Sequence, residues 1–594
     1  MDYKSIPNLP RLFFERAAQG GDKPFLWSKS HGQYRPTSWA EAARQVNRLA
    51  RGLRAHGLER GDRVALVAEN RTEWAIADLA IMAAGLIAVP GYITNTVDDH
   101  RHILSNAGAK AAIVSTRKLA GNLLAAAALT PGMRFVVSVE PLSLTQHPGV
   151  DVHSWDEMLA TGEARPNDVS AIVDSLKRSD VCCIIHTSGT GGTPRGVALS
   201  HGAILCNCAG ADALLASFGL KDEIFLSFLP LSHSYEHMAG LFFPIAIGAQ
   251  IYYVEGAETL AANMVEVRPT IMTAVPRLYE TLHTRITAAI ARQGGLKAKL
   301  FWKAVELGTK RYRDPASLTL SERALDKLLD RLVRAKFKAR FGGRLKALVS
   351  GGAPLNPEIG LFFTALGLRL LQGYGQTESA PVISVNPPDK VKLHTVGPAL
   401  EGVEVRIAED GEILVRGELV MQGYWNDPEA TAQVLREGWL HTGDVGRLDE
   451  DGYIQITDRK KDLIVNSGGD NISPQRVEGF LTLEPEIAQA MVSGDKRPYL
   501  VAALVPREEF WKSWAARHGK EPSLAALASD RAFEEALAAA VERVNAKLSL
   551  IERVRHFVIV PEPFSIENNM LTPSLKIRRH VIRKAYGAAL EALY

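Results

Sequence analysis

The spacing of hydrophobic residues predicts that strands and helices alternate through the first part of the chain. Apolar positions recur at helical spacing over residues 9–18 and 39–56, and the short apolar run at 62–67 is typical of a buried strand. An apolar segment at 74–87 and a helical stretch that ends in the strand-like run 111–115 repeat the pattern. A strand, a helix and a second strand in this order predict a parallel sheet with crossover helices.

A loop rich in glycine and hydroxyl side chains follows the strand-like run at residues 181–185. Residues 187–196 hold four glycines, four hydroxyl side chains and Arg195. Glycine lets successive backbone N–H groups turn toward an anion, so this composition predicts polyphosphate binding. For the loop alone, an ordinary glycine-rich turn without a ligand is the alternative. The Walker pattern fails because Val197 stands where lysine is needed, and the dinucleotide fingerprint fails at Pro194.

Capping residues mark two further helix starts. Ser200 is a predicted N-cap for a helix through residues 204–205. Ser473 followed by Pro474 predicts a second helix start, because proline suits the first helical position. Two strand-like runs between residues 487 and 506, and a later helical stretch, predict that the end of the chain is a small α+β region.

Composition and charge are those of a globular protein with more than one domain. A chain of 594 residues is too long for one ordinary core. The 69 Lys and Arg against 66 Asp and Glu give a net charge of +3, which by itself predicts no nucleic-acid partner. Four cysteines form neither a disulfide framework nor a zinc pattern, which favours a reducing compartment. No signal peptide is evident, and the apolar runs at 79–89 and 238–254 are predicted to be buried core.

Three polar motifs farther along the chain carry chemistry that suits a nucleotide. The turn at residues 351–354, Gly-Gly-Ala-Pro, lets a flat ring approach the backbone. Residues 374–378, Tyr-Gly-Gln-Thr-Glu, offer a ring for stacking, a hydroxyl donor and a hard carboxylate oxygen of the kind that Mg²⁺ prefers. Asp444 can accept hydrogen bonds from both hydroxyls of a ribose.

Taken in order, the loop and these motifs resemble those of the acyl-adenylate-forming superfamily, which includes acyl-CoA synthetases, luciferases and adenylation domains. The loop departs at Gly191 and Arg195 from that family's usual Thr-Ser-Gly-Thr-Thr-Gly-x-Pro-Lys-Gly. Residues 273–280 and the long region 285–345 are similar to the long-chain fatty acyl-CoA synthetase group. The resemblance covers most of the chain and implies an α/β fold of stacked sheets with crossover helices.

The resemblance also implies a domain division and a set of ligand-binding residues. The N-terminal domain would span residues 1–458 and bind ATP and the acyl group, and a small mobile α+β lid domain would span 459–594. The residues implied to bind ATP or AMP are Thr187, Ser188, Gly189, Thr190, Gly192, Thr193, Arg195, Gly351, Gly352, Ala353, Pro354, Gly373, Tyr374, Gly375, Thr377, Asp444 and Arg459.

Further roles follow from the same resemblance. Lys576, in a Leu-Thr-Pro-x-x-Lys segment, is implied to be catalytic together with Thr377 and Glu378, and Glu378 is implied to bind Mg²⁺. The other implied roles are a hinge at Lys461, a CoA tunnel at Gly468 and Gly469, an acyl pocket at His233 and an acyl gate at His237.

The implied activity is ATP-dependent ligation of a long-chain fatty acid to CoA. An acyl-adenylate forms with release of pyrophosphate, and acyl-CoA then forms with release of AMP. The partners would be the fatty acid, ATP, CoA and Mg²⁺, without nucleic acid, in the cytoplasm. Residues 322–346 hold nine Lys and Arg against three acidic residues, which leaves open a solvated helix face or a peripheral contact with the inner face of an anionic membrane. A homodimer is also left open.

Alternatives share parts of this site. An acyl-AMP ligase would pass its product to a carrier protein, but the insertion that such enzymes often carry is not evident between Arg459 and Glu478. Residues 273–280 disfavour an aryl-acid or firefly-type enzyme. A non-catalytic nucleotide-binding protein is disfavoured because Asp444, Lys576 and their partner motifs are intact.

Overall fold

Two large mixed sheets form the N-terminal region of the chain, whose computed structural model describes residues 2–143, 148–187, 193–256, 258–572 and 576–594. In spatial order, and within those ranges, the first sheet has the strands Ser384–Val385, Leu370–Tyr374, Ala347–Ser350, Ile271–Ala274, Ile224–Ser227, Gln250–Tyr253, Pro24–Ser30 and Gln33–Ser38. The second has Gly423–Tyr424, Arg195–Ser200, Val181–Thr187, Ile87–Pro90, Arg63–Val67, Ala109–Val114, Phe135–Ser138 and Asp151–Ser154. The central strands of both sheets run parallel, as the sequence pattern predicts.

Helices connect these strands. In chain order, the described helices of the N-terminal region are Leu9–Gly20, Trp39–Ala55, Thr72–Ala83, Val97–Ala107, Arg117–Ala128, Trp155–Glu163, Val169–Ser175, His201–Leu215, Ser234–Glu236, Phe243–Ile247, Leu260–Val267, Pro276–Gln293, Gly295–Arg313, Leu320–Leu329, Ala335–Ala339, Pro357–Ala365 and Pro428–Val434. Two stretches, His237–Phe242 and Asp330–Arg334, are π-helical, and short 3₁₀ turns span Ala216–Phe218, Pro315–Ser317 and Thr377–Ser379.

The two apolar runs predicted to be core are buried. The helix Thr72–Ala83 is buried at every position from Trp74 to Ala83, and within that stretch it is apolar except at Asp78. Residues 238–254 fold into part of a π-helix, a short helix and the strand Gln250–Tyr253. In the part of the chain that the structure describes, no helix has both the length and the apolar character needed to cross a membrane.

The segment after the glycine-rich loop is a strand that the sequence pattern did not predict. Arg195–Ser200 pairs antiparallel with Val181–Thr187, with Thr187 opposite Arg195. Only then does the helix His201–Leu215 begin, capped as predicted by the Ser200 hydroxyl, which accepts from the Ala203 N–H at 3.1 Å. Thr187 and Arg195 thus face each other on paired strands, and residues 188–192 lie outside the described ranges.

A third sheet and a C-terminal region complete the fold. The third sheet consists, among the described residues, of Glu404–Ile407, Glu412–Arg416, Leu435–Arg436, Trp439–Leu448 and Ile454–Arg459. The C-terminal strands are Ile464–Val465, Asn471–Ile472, Ile487–Ser493, Leu500–Pro506 and Val554–Ile559, and the helices are Pro474–Leu481, Glu508–His518, Leu524–Leu527, Arg531–Asn545 and Arg579–Glu591, with a 3₁₀ turn at Leu550–Glu552. The two predicted strands, Ile487–Ser493 and Leu500–Pro506, are present and pair antiparallel. These C-terminal elements pack around a core of their own that includes Leu504 and Phe533.

Candidate functional site

A cleft of about 2670 Å³ lies along the carboxyl edge of the first sheet and reaches the third sheet and the C-terminal region. The segments that leave Ile224–Ser227, Ile271–Ala274, Ala347–Ser350 and Leu370–Tyr374 all line it. The carboxyl ends of neighbouring parallel strands meet at one edge of a sheet, which is where open α/β sheets bind ligands. Motifs that are far apart in sequence therefore converge.

Most of the predicted site residues line this cleft. They are Thr187, Thr193, Arg195, His233, Gly351, Gly352, Ala353, Pro354, Gly373, Tyr374, Gly375, Thr377, Glu378, Asp444, Arg459, Lys461 and Lys576. Ser188, Gly189, Thr190 and Gly192 lie outside the described residues. Gly468 and Gly469 lie on an exposed turn, and neither they nor His237 are among the residues that line the cleft.

Asp444 is held by two donors. The Tyr374 hydroxyl donates to Oδ2 at 2.7 Å, and the Arg459 Nε donates to Oδ1 at 3.0 Å. Asp444 and Arg459 face each other on neighbouring strands of the third sheet, so the pair is set by backbone register. Burial and the nearby Asp444 raise the pKa of Tyr374, which keeps its phenol a donor. The carboxylate therefore has one fixed orientation, as recognition of two neighbouring hydroxyls requires.

Thr377 and Glu378 sit in a tight turn beside the strand Leu370–Tyr374. The Thr377 and Ser234 hydroxyls are 2.9 Å apart, and Glu378 Oε1 accepts from the Tyr424 hydroxyl at 2.9 Å. Among the described residues, no group of three or more His, Cys, Asp or Glu side chains could hold a metal ion. Mg²⁺ commonly binds through one or two carboxylates together with substrate phosphates and water. A single accessible glutamate fits that mode.

Gly375 is required by the close packing of this turn. A Cβ atom there would lie 1.9 Å from the carbonyl oxygen of Pro381, a distance that only a backbone shift could relieve. At Gly351 a Cβ atom would meet the Tyr235 ring at 3.0 Å, and Gly352 has φ +80°. Side chains at these positions would displace the two turns that border the cleft.

The C-terminal region delivers Lys576 into the cleft. The Lys576 backbone N–H donates to the Thr572 hydroxyl at 3.0 Å, and the Thr572 N–H donates to the Lys576 carbonyl at 2.8 Å, so these two residues are held together. The surrounding protein and the positive Arg459 lower the pKa of Lys576 to about 8, against the opposing charges of Asp444 and Glu378. The Lys576 amine thus lies among the predicted nucleotide-binding residues.

The two predicted histidines have different surroundings. His233 Nδ1 accepts from the Tyr235 N–H at 3.1 Å, and burial, followed by the charge of Lys576, lowers the His233 pKa to about 4. His233 is therefore neutral, with its proton on Nε2. His237 is 1% exposed and lies 2.8 Å from Asp78; burial opposes its charge, but Asp78 raises its pKa to about 10. His237 is not among the residues that line the cleft, and its gate role stays a prediction.

Several cleft residues were not found from the sequence. Buried or half-buried apolar side chains line one part of the cleft: Ala211, Leu214, Leu215, Phe225, Phe228, Met238, Phe243, Ile271, Leu371, Val382 and Val385. Tyr424 and Asp427 also line it. The strand Gly423–Tyr424 joins the second sheet beside Val197–Ala198, a pairing across more than 200 residues that no local pattern signals.

Comparison with known proteins agrees with this geometry. The family model for AMP-binding enzymes matches residues 13–425, and that for the AMP-binding enzyme C-terminal domain matches 461–594. The chain is 33% identical over 595 residues to the long-chain-fatty-acid–CoA ligase FadD15 of Mycobacterium bovis, covering 99% of this chain and 97% of that protein. It is 32% identical to the peroxisomal long chain acyl-CoA synthetase 7 of Arabidopsis thaliana, covering 95% of this chain and 82% of that protein.

Solved structures share the fold. The adenylation domain of a carboxylate reductase from Mycobacterium chelonae superposes with a TM-score of 0.77 at 22% identity, covering 99% of this chain and 91% of that one. The o-succinylbenzoate CoA synthetase of Bacillus subtilis, in complex with its acyl-adenylate, gives 0.66 at 20% identity, covering 97% and 98%. These similarities confirm the predicted α/β fold.

Proposed function

The chain belongs to the AMP-binding enzyme family, and from that membership we propose that it is an ATP-dependent long-chain fatty acid:CoA ligase. The observation that carries the proposal is one cleft that combines an apolar wall, a fixed Asp444–Arg459 pair and the amine of Lys576. The two relatives described above are named a long-chain-fatty-acid–CoA ligase and a long chain acyl-CoA synthetase, which supports this substrate class.

In the first half-reaction a fatty carboxylate oxygen attacks the α-phosphorus of ATP. The new oxygen–phosphorus bond forms as the bond to the β-phosphate oxygen breaks, and pyrophosphate leaves with the electron pair. Thr187, Thr193 and Arg195 hold the β- and γ-phosphates, and Lys576 lies between the carboxylate and the α-phosphate to stabilise the developing charge. Mg²⁺, held by Glu378, supplies charge neutralisation on the phosphates when bound. Neutral His233 has an Nε2 proton to donate beside the acyl group.

In the second half-reaction the CoA thiol attacks the acyl carbonyl carbon. The carbon–sulfur bond forms, the carbon–oxygen bond to AMP breaks, and the thiol proton passes to solvent. The thiol must reach the acyl carbonyl through space that Lys576 occupies during the first half-reaction. We propose that residues 459–594 rotate about Lys461, withdraw Lys576 and bring Gly468 and Gly469 to the thiol channel.

The direct test is AMP release that depends on ATP, CoA and a carboxylate. A panel of saturated fatty acids of increasing length, with benzoate as an aryl acid, is compared in that assay. Release of AMP and acyl-CoA with long chains is the expected result. Acyl-AMP formation without turnover by CoA would favour the ligase that serves a carrier protein, and no pyrophosphate release with any carboxylate would overturn the proposal.

We expect the apolar wall of the cleft to set chain length. Ala211, on the helix His201–Leu215, faces the cleft together with Phe243, so Ala211→Phe fills space that a long chain would occupy. The expected result is a fall in kcat/KM for palmitate of about tenfold or more, with kcat/KM for octanoate nearly unchanged. Each methylene that no longer fits an apolar pocket costs about 1–3 kcal/mol of transition-state binding. The control is Ala213→Phe on the exposed face of the same helix. Equal effects on both acids would exclude this wall as the acyl pocket.

We propose that the chain docks on anionic membrane through the outer face of the helical segment 320–339, which consists of Leu320–Leu329, the π-helix Asp330–Arg334 and Ala335–Ala339. Its inner face is buried, with Arg334 paired to Asp326 at 2.6 Å. Its outer face presents Leu328 and Leu332, which are 51% and 43% exposed. Exposed cations on the same helical segment are Arg323, Lys327, Arg331, Lys336 and Lys338. Apolar side chains among cations suit an anionic lipid surface.

Vesicle flotation tests this docking. The chain should float with phosphatidylcholine vesicles that contain phosphatidylglycerol, and a Leu328→Glu, Leu332→Glu double variant should lose most of that binding. Leu550→Glu is the matched control, since Leu550 is 68% exposed on the C-terminal region. If the unchanged chain floats neither with vesicles that contain phosphatidylglycerol nor with vesicles of phosphatidylcholine alone, the membrane contact is excluded.

A further inference from the structure

Tyr424 joins the cation of the glycine-rich loop to the predicted metal-binding carboxylate. Its hydroxyl donates to Glu378 Oε1 at 2.9 Å, and the Arg195 guanidinium lies over its ring, 5.4 Å from the centroid. Asp427 Oδ2 lies 3.5 Å from the Arg195 Nε. One side chain thus contacts both groups that are proposed to meet the pyrophosphate half of ATP.

The backbone around Tyr424 is tied to both sides of the site. The Trp425 N–H donates to the Gly196 carbonyl at 2.7 Å, next to the loop, and the Met421 N–H donates to the Glu378 carbonyl at 2.9 Å. The Tyr424 N–H donates to the Thr431 hydroxyl at 2.9 Å. The ring therefore has little freedom to follow either group if one of them moves.

Arginine suits this arrangement better than lysine does. A guanidinium is planar and stacks on an aromatic face, whereas an ammonium is a compact point charge. The departure at Arg195 from the family's usual lysine is thus matched by the ring of Tyr424 below it and the carboxylate of Asp427 beside it. Both contacts orient the guanidinium.

The phenol also leaves Glu378 able to bind a cation. The Tyr424 hydroxyl donates one hydrogen bond to Glu378, at 2.9 Å. It occupies Oε1, and Oε2 accepts no hydrogen bond from the part of the chain that the structure describes. This hydrogen bond orients the carboxylate and leaves its negative charge in place, as hydrogen bonds to metal ligands commonly do.

We propose that Tyr424 is a positioning residue that sets Arg195 and Glu378 at a fixed separation, so that the metal ion and the β,γ-phosphates bind as one unit. The proposal rests on the proposed function. The hydroxyl orients the carboxylate, and the ring orients the guanidinium. The two parts can be removed separately.

Tyr424→Phe removes only the hydroxyl, and Tyr424→Leu removes the ring as well. The probe is Mn²⁺ with a non-hydrolysable ATP analogue, with bound Mn²⁺ read by electron paramagnetic resonance and metal-free nucleotide binding read by calorimetry. Tyr424→Phe should weaken Mn²⁺ binding about tenfold, as expected when a hydrogen bond to a charged group is lost, and leave metal-free nucleotide binding unchanged. Tyr424→Leu and Arg195→Lys should also weaken metal-free binding.

The matched control is Tyr34→Phe, which removes a half-buried hydroxyl that donates to the Tyr253 carbonyl at 3.0 Å, away from the cleft. Thermal melting checks that each variant is folded. The same Mn²⁺ affinity in Tyr424→Phe as in Tyr34→Phe would overturn the positioning role. Failure of the unchanged chain to bind the metal and the nucleotide together would instead count against the proposed function.

Discussion

Replacing Lys576 by alanine is expected to abolish adenylation and to spare thioester formation. The Lys576 amine lies within the influence of Arg459, Asp444 and Glu378, so it is placed to meet charge that develops at the α-phosphate. Loss of one such preorganised group costs about 100- to 1000-fold in rate. ATP–pyrophosphate exchange with palmitate measures the first half-reaction, and conversion of supplied palmitoyl-AMP with CoA measures the second.

The matched control for this variant is Lys512→Ala. Lys512 pairs with Glu508 on an exposed helix face of the same C-terminal region and does not line the cleft. Both half-reactions should survive in the control. Loss of both halves in Lys576→Ala, with an unchanged melting temperature, would mean that the lysine does not act in adenylation alone.

The residues that sequence reasoning found are those whose chemistry is local. The glycine-rich loop and the Tyr-Gly-x-Thr-Glu turn are motifs of a few consecutive positions, and several of their described residues line the cleft. The parallel sheets were predictable for the same reason, because buried strands and crossover helices leave periodic patterns. The strand Arg195–Ser200 was missed because its short apolar run merges with the helix that follows.

What the sequence did not reveal depends on pairing over long distances. Tyr424 reaches Glu378 only because Gly423–Tyr424 adds to the second sheet. His237 was a candidate gate by its spacing from His233, yet its contact is Asp78, about 160 positions earlier in the chain. No periodicity in a single sequence indicates such partners, since they are selected by how whole layers pack.

The turn that holds Gly468 and Gly469 lies outside the cleft in the arrangement that places Lys576 inside it. The Gly468 N–H donates to Asn466 Oδ1 at 2.9 Å, so the turn is stabilised by its own contacts. A chain that uses both Lys576 and this turn at one reaction centre must exchange them. The backbone about which the C-terminal region rotates must therefore make few contacts that hold it in the present arrangement.

Lys461→Pro is expected to spare adenylation and to impair thioester formation, the reverse of the result expected for Lys576→Ala. Lys461 is exposed, does not have a positive φ, and donates no backbone hydrogen bond to the described residues, so proline removes no hydrogen bond there. The Asp462 and Leu463 N–H groups hold the Arg459 carbonyl at 2.9 and 3.0 Å without it. A fixed φ at the hinge would nevertheless restrict the rotation.

Adenylation by Lys461→Pro should therefore stay within about threefold of the unchanged chain, while thioester formation from palmitoyl-AMP falls by roughly 100-fold, because hinge residues absorb the backbone change that domain motion needs. Lys461→Ala removes the charge but keeps the rotation, so both half-reactions should survive in it. Equal loss in the alanine and proline variants would assign the effect to the amine. Unchanged rates of thioester formation in both variants would mean that the hinge is not at Lys461. The hydrogen bond from the Lys460 N–H to the Gly443 carbonyl, at 2.9 Å, would then have to break for the C-terminal region to move.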